Sequence, residues 1–193
     1  MKPILNLSEI TDFQGHDQGS FSAKYANIST KIGAKKLGYN ITIVPPGKKS
    51  WPFHNHHISE EMFIILKGKG TLRFGDKKFA IKKDDVIACP VGSRSVAHQF
   101  INDSESDLKY LALGTKEEQD ICEYPDSDKV LSRSNNNGES ILWNMSKSAE
   151  SYEYFEGEES ENLAPTTRSN KFDTDVDTFD KQLLRKKFFE LNP

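Results

Sequence analysis

The stretch Phe53-His54-Asn55-His56-His57-Ile58-Ser59-Glu60-Glu61-Met62-Phe63-Ile64-Ile65-Leu66 decides how this chain is read. Three of the five histidines of the protein fall within four consecutive positions, followed at once by an acidic residue and an apolar run. On a β-strand, residues two apart point to the same side, so His54 and His56 present their imidazoles to one face while Phe53 and His57 point to the other. Glu61 opens the next strand and shares its face with Phe63 and Ile65. If the two strands pair as an antiparallel hairpin, the Glu61 carboxylate approaches both imidazoles. Imidazole and carboxylate donors together suit a divalent transition metal. Downstream, His98 follows the turn Pro90-Val91-Gly92 and can complete the set.

Outward from that segment, residues 20–114 read as short strands separated by turns. Expected strands are Lys24–Thr30, Gly38–Val44, Trp51–His57, Glu61–Lys67, Gly70–Phe74, Lys78–Ile81, Asp85–Cys89, Val96–Asn102 and Leu108–Leu113. Pro45-Pro46-Gly47, Lys67-Gly68-Lys69-Gly70, Gly75-Asp76 and Asp84-Asp85 punctuate them. Many short strands at roughly eight-to-twelve-residue spacing predict an all-β sandwich, jelly roll or barrel. No segment of this region has a 3.6-residue period, which argues against a βαβ fold. After Gly114 the expectation is a short helical turn over Lys116–Cys122, a loop over Ser132–Glu139 around Asn135-Asn136-Asn137-Gly138, and one more edge strand near Tyr152 and Tyr154. A linker is expected over 164–176. An amphipathic helix is expected over 177–190, with Phe179, Leu183, Leu184 and Phe188 on one side and Asp177 as its N-cap. The domain expectation is therefore one unit over 1–163 followed by that linker and helix.

The two histidine-bearing segments resemble the two motifs of the cupin family. The first runs Gly47, His54-Asn55-His56, Glu61, Gly68; the second runs Pro90-Val91-Gly92, His98, Asn102. The spacers Gly47–His54 and Gly92–His98 are longer than the family pattern, and Asp84 stands where the second motif opens with Gly. The stretches Cys122–Ser127 and Tyr154–Glu158 also resemble a subgroup of small bacterial cupins loosely labelled sugar-phosphate-isomerase-like. What the resemblance implies is a double-stranded β-helix, or jelly-roll barrel, with a short C-terminal helix. It further implies a divalent metal (Fe, Mn, Ni, Co or Zn) held by His54, His56, Glu61 and His98. About two coordination positions would stay open for water or an oxygen-bearing substrate. A metal-dependent dioxygenase, a non-catalytic small-ligand binder and a buried polar network without metal are the competing readings.

Composition narrows the partners. The 193 residues carry a net charge of −3, but residues 1–114 hold 16 Lys and Arg against 11 Asp and Glu, whereas residues 115–193 hold 10 against 18. Lysine pairs such as Lys35-Lys36 and Lys82-Lys83 flank turns and do not form the concentrated basic face that nucleic acid requires. The longest apolar run, Met62–Leu66, is far below the roughly 18–20 residues that cross a bilayer. The expected partners are a small-molecule ligand or substrate and a second copy in a homodimer, with no nucleic acid and no membrane. Two cysteines, Cys89 and Cys122, make no disulfide framework, and Met1–Asn6 lacks an apolar signal segment, so the expected compartment is the cytoplasm. Cys89 is expected to be a packed, inert thiol. Gly68-Lys69-Gly70 lacks the remainder of a phosphate loop and is expected to be a hairpin turn. Ser93 and Ser95 lack the orienting acid of a hydrolase.

Overall fold

A computed structural model describes residues 2–148 and 151–158. Its contacts divide the chain into Met1–Ser151 and Tyr152–Pro193. The first unit holds thirteen strands among the described residues: β1 (Gln14–Gln18), β2 (Phe21–Asn27), β3 (Leu37–Val44), β4 (Asn55–His56), β5 (Glu61–Lys67), β6 (Lys69–Phe74), β7 (Lys77–Lys82), β8 (Val86–Cys89), β9 (His98–Ile101), β10 (Leu108–Thr115), β11 (Gln119–Tyr124), β12 (Lys129–Asn136) and β13 (Glu139–Lys147). They form a six-stranded sheet in the order β1-β2-β3-β10-β5-β8, a four-stranded sheet β13-β12-β11-β4 and a three-stranded sheet β7-β6-β9. All pairings between these strands are antiparallel. The architecture is all-β, as the strand spacing predicts, and is the jelly-roll barrel that the family resemblance implies.

Alternation places the core. Phe63 and Ile65 of β5 lie opposite Ala112 and Tyr110 of β10, and Leu108, Tyr110, Leu72, Phe100, Ile81 and Ile87 close around them. The Phe63 ring centroid lies 4.6 Å from Phe100 and 5.8 Å from Tyr110, while Phe100 and Tyr110 stack at 4.7 Å. Burial of each such side chain contributes about 1.5–3 kcal/mol. This aromatic cluster forms the floor on which the histidine-bearing end of the barrel rests: Phe63 also packs at 5.6 Å against the imidazole of His98.

Several expectations change. Residues 119–122 belong to strand β11 rather than to a helical turn, because β12 pairs along one edge and β4 takes up the other at Cys122. The segment expected as a loop at 132–139 is the end of β12 and a tight hairpin. Asn137 and Gly138 both take positive φ (49° and 88°), the requirement of a two-residue type I′ turn that Asn-Gly meets best. The expected strand over 51–57 shrinks to Asn55–His56, since Pro52 has no N–H to offer a ladder. Gly68 does not turn a hairpin. It carries the chain from the six-stranded to the three-stranded sheet at φ 83°, where a Cβ would lie 2.3 Å from the Asp107 carbonyl oxygen. Strand β1 was not expected at all.

In the second unit residues 154–158 form turns and 152–153 have no regular structure, rather than the expected edge strand, with Tyr154 and Phe155 packed edge to face at 4.8 Å. The expected linker and C-terminal helix lie outside the described residues. Among the described residues no helix is long and apolar enough to cross a membrane.

Candidate metal centre

His54 and His56 reach the site from the short β4 segment, and His98 is the first residue of β9. An isolated bridge joins the first and last of these: the His54 amide donates to the His98 carbonyl at 3.2 Å and the His98 amide to the His54 carbonyl at 2.7 Å. Glu61 does not arrive by a hairpin with β4, the pairing under which the sequence would bring it to both imidazoles. Strand β5 pairs with β10 and β8, and β4 pairs with β11, so the carboxylate comes from the six-stranded sheet and the first two imidazoles from the opposite wall. Closure of the barrel, not a hairpin, brings the carboxylate to the imidazoles.

Three imidazole nitrogens lie within 4.0 Å of one carboxylate oxygen. Glu61 Oε2 lies 4.0 Å from His54 Nε2, 3.5 Å from His56 Nε2 and 3.1 Å from His98 Nε2. The donor atoms of His54, Glu61 and His98 all lie within 4.8 Å of one another, a cluster able to hold a metal ion. Two of these atoms, Glu61 Oε2 and His98 Nε2, are buried without a hydrogen-bond partner. Leaving such atoms unpaired costs about 1–3 kcal/mol each, and a cation at the point they share would satisfy both. The donor set and its orphaned atoms therefore fit a divalent transition metal.

The outer nitrogens set the inner ones. His54 Nδ1 lies 2.8 Å from the Pro52 carbonyl, which can only accept, so the proton sits on Nδ1 and the Nε2 lone pair faces inward. His56 Nδ1 likewise donates to Asp120 Oδ2 at 2.7 Å. Asp120 has a fully buried side chain; its Oδ1 accepts the Ile58 amide at 3.1 Å and its Oδ2 also lies 3.5 Å from Arg133 Nη2. Such a carboxylate behind an imidazole orients the ring and raises its basicity. Burial would raise the Asp120 carboxyl, but the bonds from His56 and Ser59 hold it well below its usual value. Burial lowers His54 to about 4, with His98 adding to the effect, so this imidazole is neutral at pH 7. Burial acts the same way on His56, yet Asp120 outweighs it and raises the group. Burial alone would raise Glu61, but the imidazoles, His98 foremost, keep it ionised.

Above the cluster opens a cavity of about 430 Å³, floored by His54 and His56 and walled by Trp51, Tyr124, Arg133 and Trp143. Below it a small chamber of about 70 Å³ lies between Glu61, His98, Asn40, Ser50 and Gln99. Asp120, Tyr124, Arg133 and Trp143 all lie beyond residue 114, where no strand is expected before Tyr152. The alternation Asp120, Cys122, Tyr124 was the available sign. The other two arginines among the described residues do not line the cavity. Arg73 stacks 3.6 Å over the Phe53 ring and grips Asp126 with two bonds of 2.7 and 2.9 Å, and Arg94 pairs with Glu123 and Asp128. His57 faces away and meets Glu123 at 3.1 Å, as strand alternation requires. Asn102 of the second motif is structural, donating to the carbonyls of Val44 and Ser106. Ser93 and Ser95 bond only to each other among side chains.

The sequence profile of the cupin domain matches residues 40–114, the span that carries both histidine segments. Residues 40–114 are therefore similar to a cupin domain. An uncharacterized protein of Methanocaldococcus jannaschii is 35% identical over 83 residues, which is 43% of this chain and 56% of that one, so the chain spans little more than half of that relative's length. Among solved structures, one from Acidithiobacillus ferrooxidans, assigned provisionally as a sugar phosphate isomerase, is 28% identical with a TM-score of 0.69. It covers 78% of this chain and 96% of its own. A cupin-superfamily sugar phosphate isomerase from Silicibacter pomeroyi is 22% identical with a TM-score of 0.65, over 76% and 93% of the two chains, and shares the fold.

Proposed function

We propose that this protein holds a divalent transition metal through His54, His56, Glu61 and His98. We further propose that it acts on a small, oxygen-rich, anionic molecule of the sugar phosphate class. The single observation that carries the metal reading is the meeting of three imidazole nitrogens on Glu61 Oε2, with that oxygen and His98 Nε2 buried and unpartnered. The likeness to the Acidithiobacillus ferrooxidans protein supports isomerisation as the reaction class.

A metal at this point would supply Lewis acidity to a bound carbonyl or hydroxyl oxygen. The rest falls to the chain. Trp51, Tyr124 and Trp143 offer apolar faces to the carbon skeleton of a ligand, and Arg133 is the cation in the cavity wall. Its Nη1 donates to the Glu117 carbonyl at 3.0 Å and its Nη2 to Ser59 Oγ at 3.2 Å, which holds the guanidinium plane still. Remaining guanidinium hydrogens can take one anionic group. Burial pushes the Tyr124 phenol above its usual value, so it stays protonated and can donate to a ligand oxygen. The buried apolar floor of Phe63 and Phe100 excludes bulk water from beneath the cluster.

Elemental analysis of the purified protein tests the metal reading directly. The native chain is expected to retain a divalent transition metal, and His54→Ala with His56→Ala is expected to lose it while keeping a folded barrel by circular dichroism. If the native protein holds no metal and added Mn(II), Fe(II), Ni(II) or Zn(II) leaves its melting temperature unchanged, the site reading fails. A screen of sugar phosphates, followed by isomer analysis, then tests the reaction class. Oxygen consumption in that screen would turn the assignment to a dioxygenase, and ligand binding without turnover would turn it to a binding module.

A further inference from the structure

Strand β13 ends the four-stranded sheet, and its outer edge is unpaired among the described residues. It is long and contains no proline: Glu139-Ser140-Ile141-Leu142-Trp143-Asn144-Met145-Ser146-Lys147. Its apolar side chains are in solvent, Ile141 at 66%, Leu142 at 47%, Trp143 at 67% and Met145 at 43% exposure. Proteins blunt free sheet edges with charges, prolines or short strands. Here the only charges stand at the two ends, one of each sign.

That placement has a symmetry. In an antiparallel pair of two β13 strands centred on Trp143, Glu139 of one protomer stands opposite Lys147 of the partner subunit, and the converse pair forms at the other end. Ile141 stands opposite Met145, Leu142 opposite Asn144, and Trp143 opposite its own copy. The strand is self-complementary in this one register. A slip of one residue turns every side chain to the other face, and a slip of two separates the charges from their partners. Ile141 is the extra residue where the pairing of β12 with β13 shifts, so it has no partner on β12 and is free for another strand. Glu139 has no ion-pair partner among the described residues. Lys147 uses one of its three hydrogens on the Ser127 carbonyl at 2.9 Å.

We infer that this edge is the interface of a homodimer, formed by antiparallel pairing of β13 with β13 of a second copy about a two-fold axis through Trp143. The pairing extends the four-stranded sheet into a continuous eight-stranded one. It also bears on the cavity. Trp143 lies across from Arg133, and Met145 from Leu131, on the face that walls the cavity above the histidines. The partner's β13 therefore lengthens the wall of each cavity at its mouth. The inference is independent of the metal and of the reaction.

The full-length chain is the sample, and sedimentation velocity across the micromolar range is the measurement. The wild type is expected to be a dimer. Glu139→Lys places like charges at both ends of the interface, as does Lys147→Glu, and each is expected to weaken the dimer on the order of tenfold. The double variant Glu139→Lys with Lys147→Glu restores complementarity and is expected to recover the wild-type constant. Trp143→Cys is expected to form an intermolecular disulfide on mild oxidation, because directly opposed residues approach within disulfide range. These positions are exposed, and unchanged melting curves confirm that each variant folds. A wild-type chain that stays monomeric throughout overturns the inference and leaves the apolar edge to another part of the same chain. Single variants with the wild-type constant, or a double variant that fails to recover, place the dimer contact elsewhere or in another register and overturn it equally.

Discussion

Replacing Asp120 by Asn removes one charge and changes almost no volume, yet the structure gives it a defined and large effect. Asp120 Oδ1 accepts the Ile58 amide, and Oδ2 accepts His56 Nδ1 and faces Arg133. All of these neighbours are donors. An asparagine can offer its oxygen to only one side. If the oxygen stays with Ile58, the amide nitrogen confronts His56 and Arg133. If it turns, the nitrogen confronts the Ile58 amide. Either choice leaves a buried donor unmet at a cost of about 1–3 kcal/mol. In a chain of this size that corresponds to a fall in melting temperature of roughly 2–4 °C per kcal/mol. The first orientation also makes His56 Nδ1 an acceptor, which moves the ring proton to Nε2 and turns the inward lone pair into an N–H. Loss of a carboxylate behind a ligating imidazole costs about 10–100-fold in metal affinity. The assay pairs differential scanning calorimetry of metal-stripped protein with a competitive Zn(II) titration against a chromophoric chelator. Asp120→Asn that melts with the wild type and binds Zn(II) with unchanged affinity would refute both the hydrogen-bond accounting and the role assigned to Asp120.

Further outcomes follow from other parts of the structure. Because the Asp120 carboxyl is depressed in the folded state, its contribution to stability is present above the unfolded value of 3.8 and is lost as pH falls below it; Asp120→Asn should therefore flatten the acid limb of a stability-versus-pH curve. Gly68→Ala forces a Cβ against the Asp107 carbonyl at positive φ, and equilibrium urea unfolding should show a loss of more than about 1 kcal/mol, whereas Gly138→Ala, with open space around it, should lose less. Phe63→Ala opens the floor beneath His98 and should cost about 3–5 kcal/mol in the same assay. Burial pushes the Cys122 thiol up to about 12 and raises Cys89 further, so neither should react with a thiol reagent at pH 8 until the chain is unfolded, when two thiols per chain should appear.

Much of the barrel is legible in single residues. The continuous apolar run Met62–Leu66, bounded by Glu61 and Lys67, marks β5 at its true ends, a short run of the length a strand with both faces covered requires. Strand geometry places His54 and His56 near one another, and of the expected ligands the structure gathers His54, Glu61 and His98 into one donor cluster, with His56 Nε2 3.5 Å from the same carboxylate oxygen. What brings Glu61 to them is not local: it depends on closure of the barrel between sheets, which no window of sequence displays. Beyond residue 114 the reading fails for a physical reason. Lys116-Glu117-Glu118 are good helix formers, and β11 is a strand only because β4 and β12 lie on either side of it. Strand β13 has both faces exposed, so it lacks the alternation that burial imposes. The Asn137-Gly138 pair was a legible hairpin sign that the polar context hid.

The bridge between His54 and His98 has a consequence for how this barrel can be altered. Two backbone bonds hold these residues to one another directly, so their relative position is independent of the length of the segments that lead to them. Ser93–Ser95 is an exposed excursion between Gly92 and the buried Ala97, and Gly92 is itself tied back to the His56 carbonyl. A loop that begins and ends on such anchors can be lengthened at little entropic cost. The longer-than-usual spacer before His98 is one such lengthening. The same excursion is the natural place to graft a recognition loop, since the grafted residues would not move the four side chains behind them.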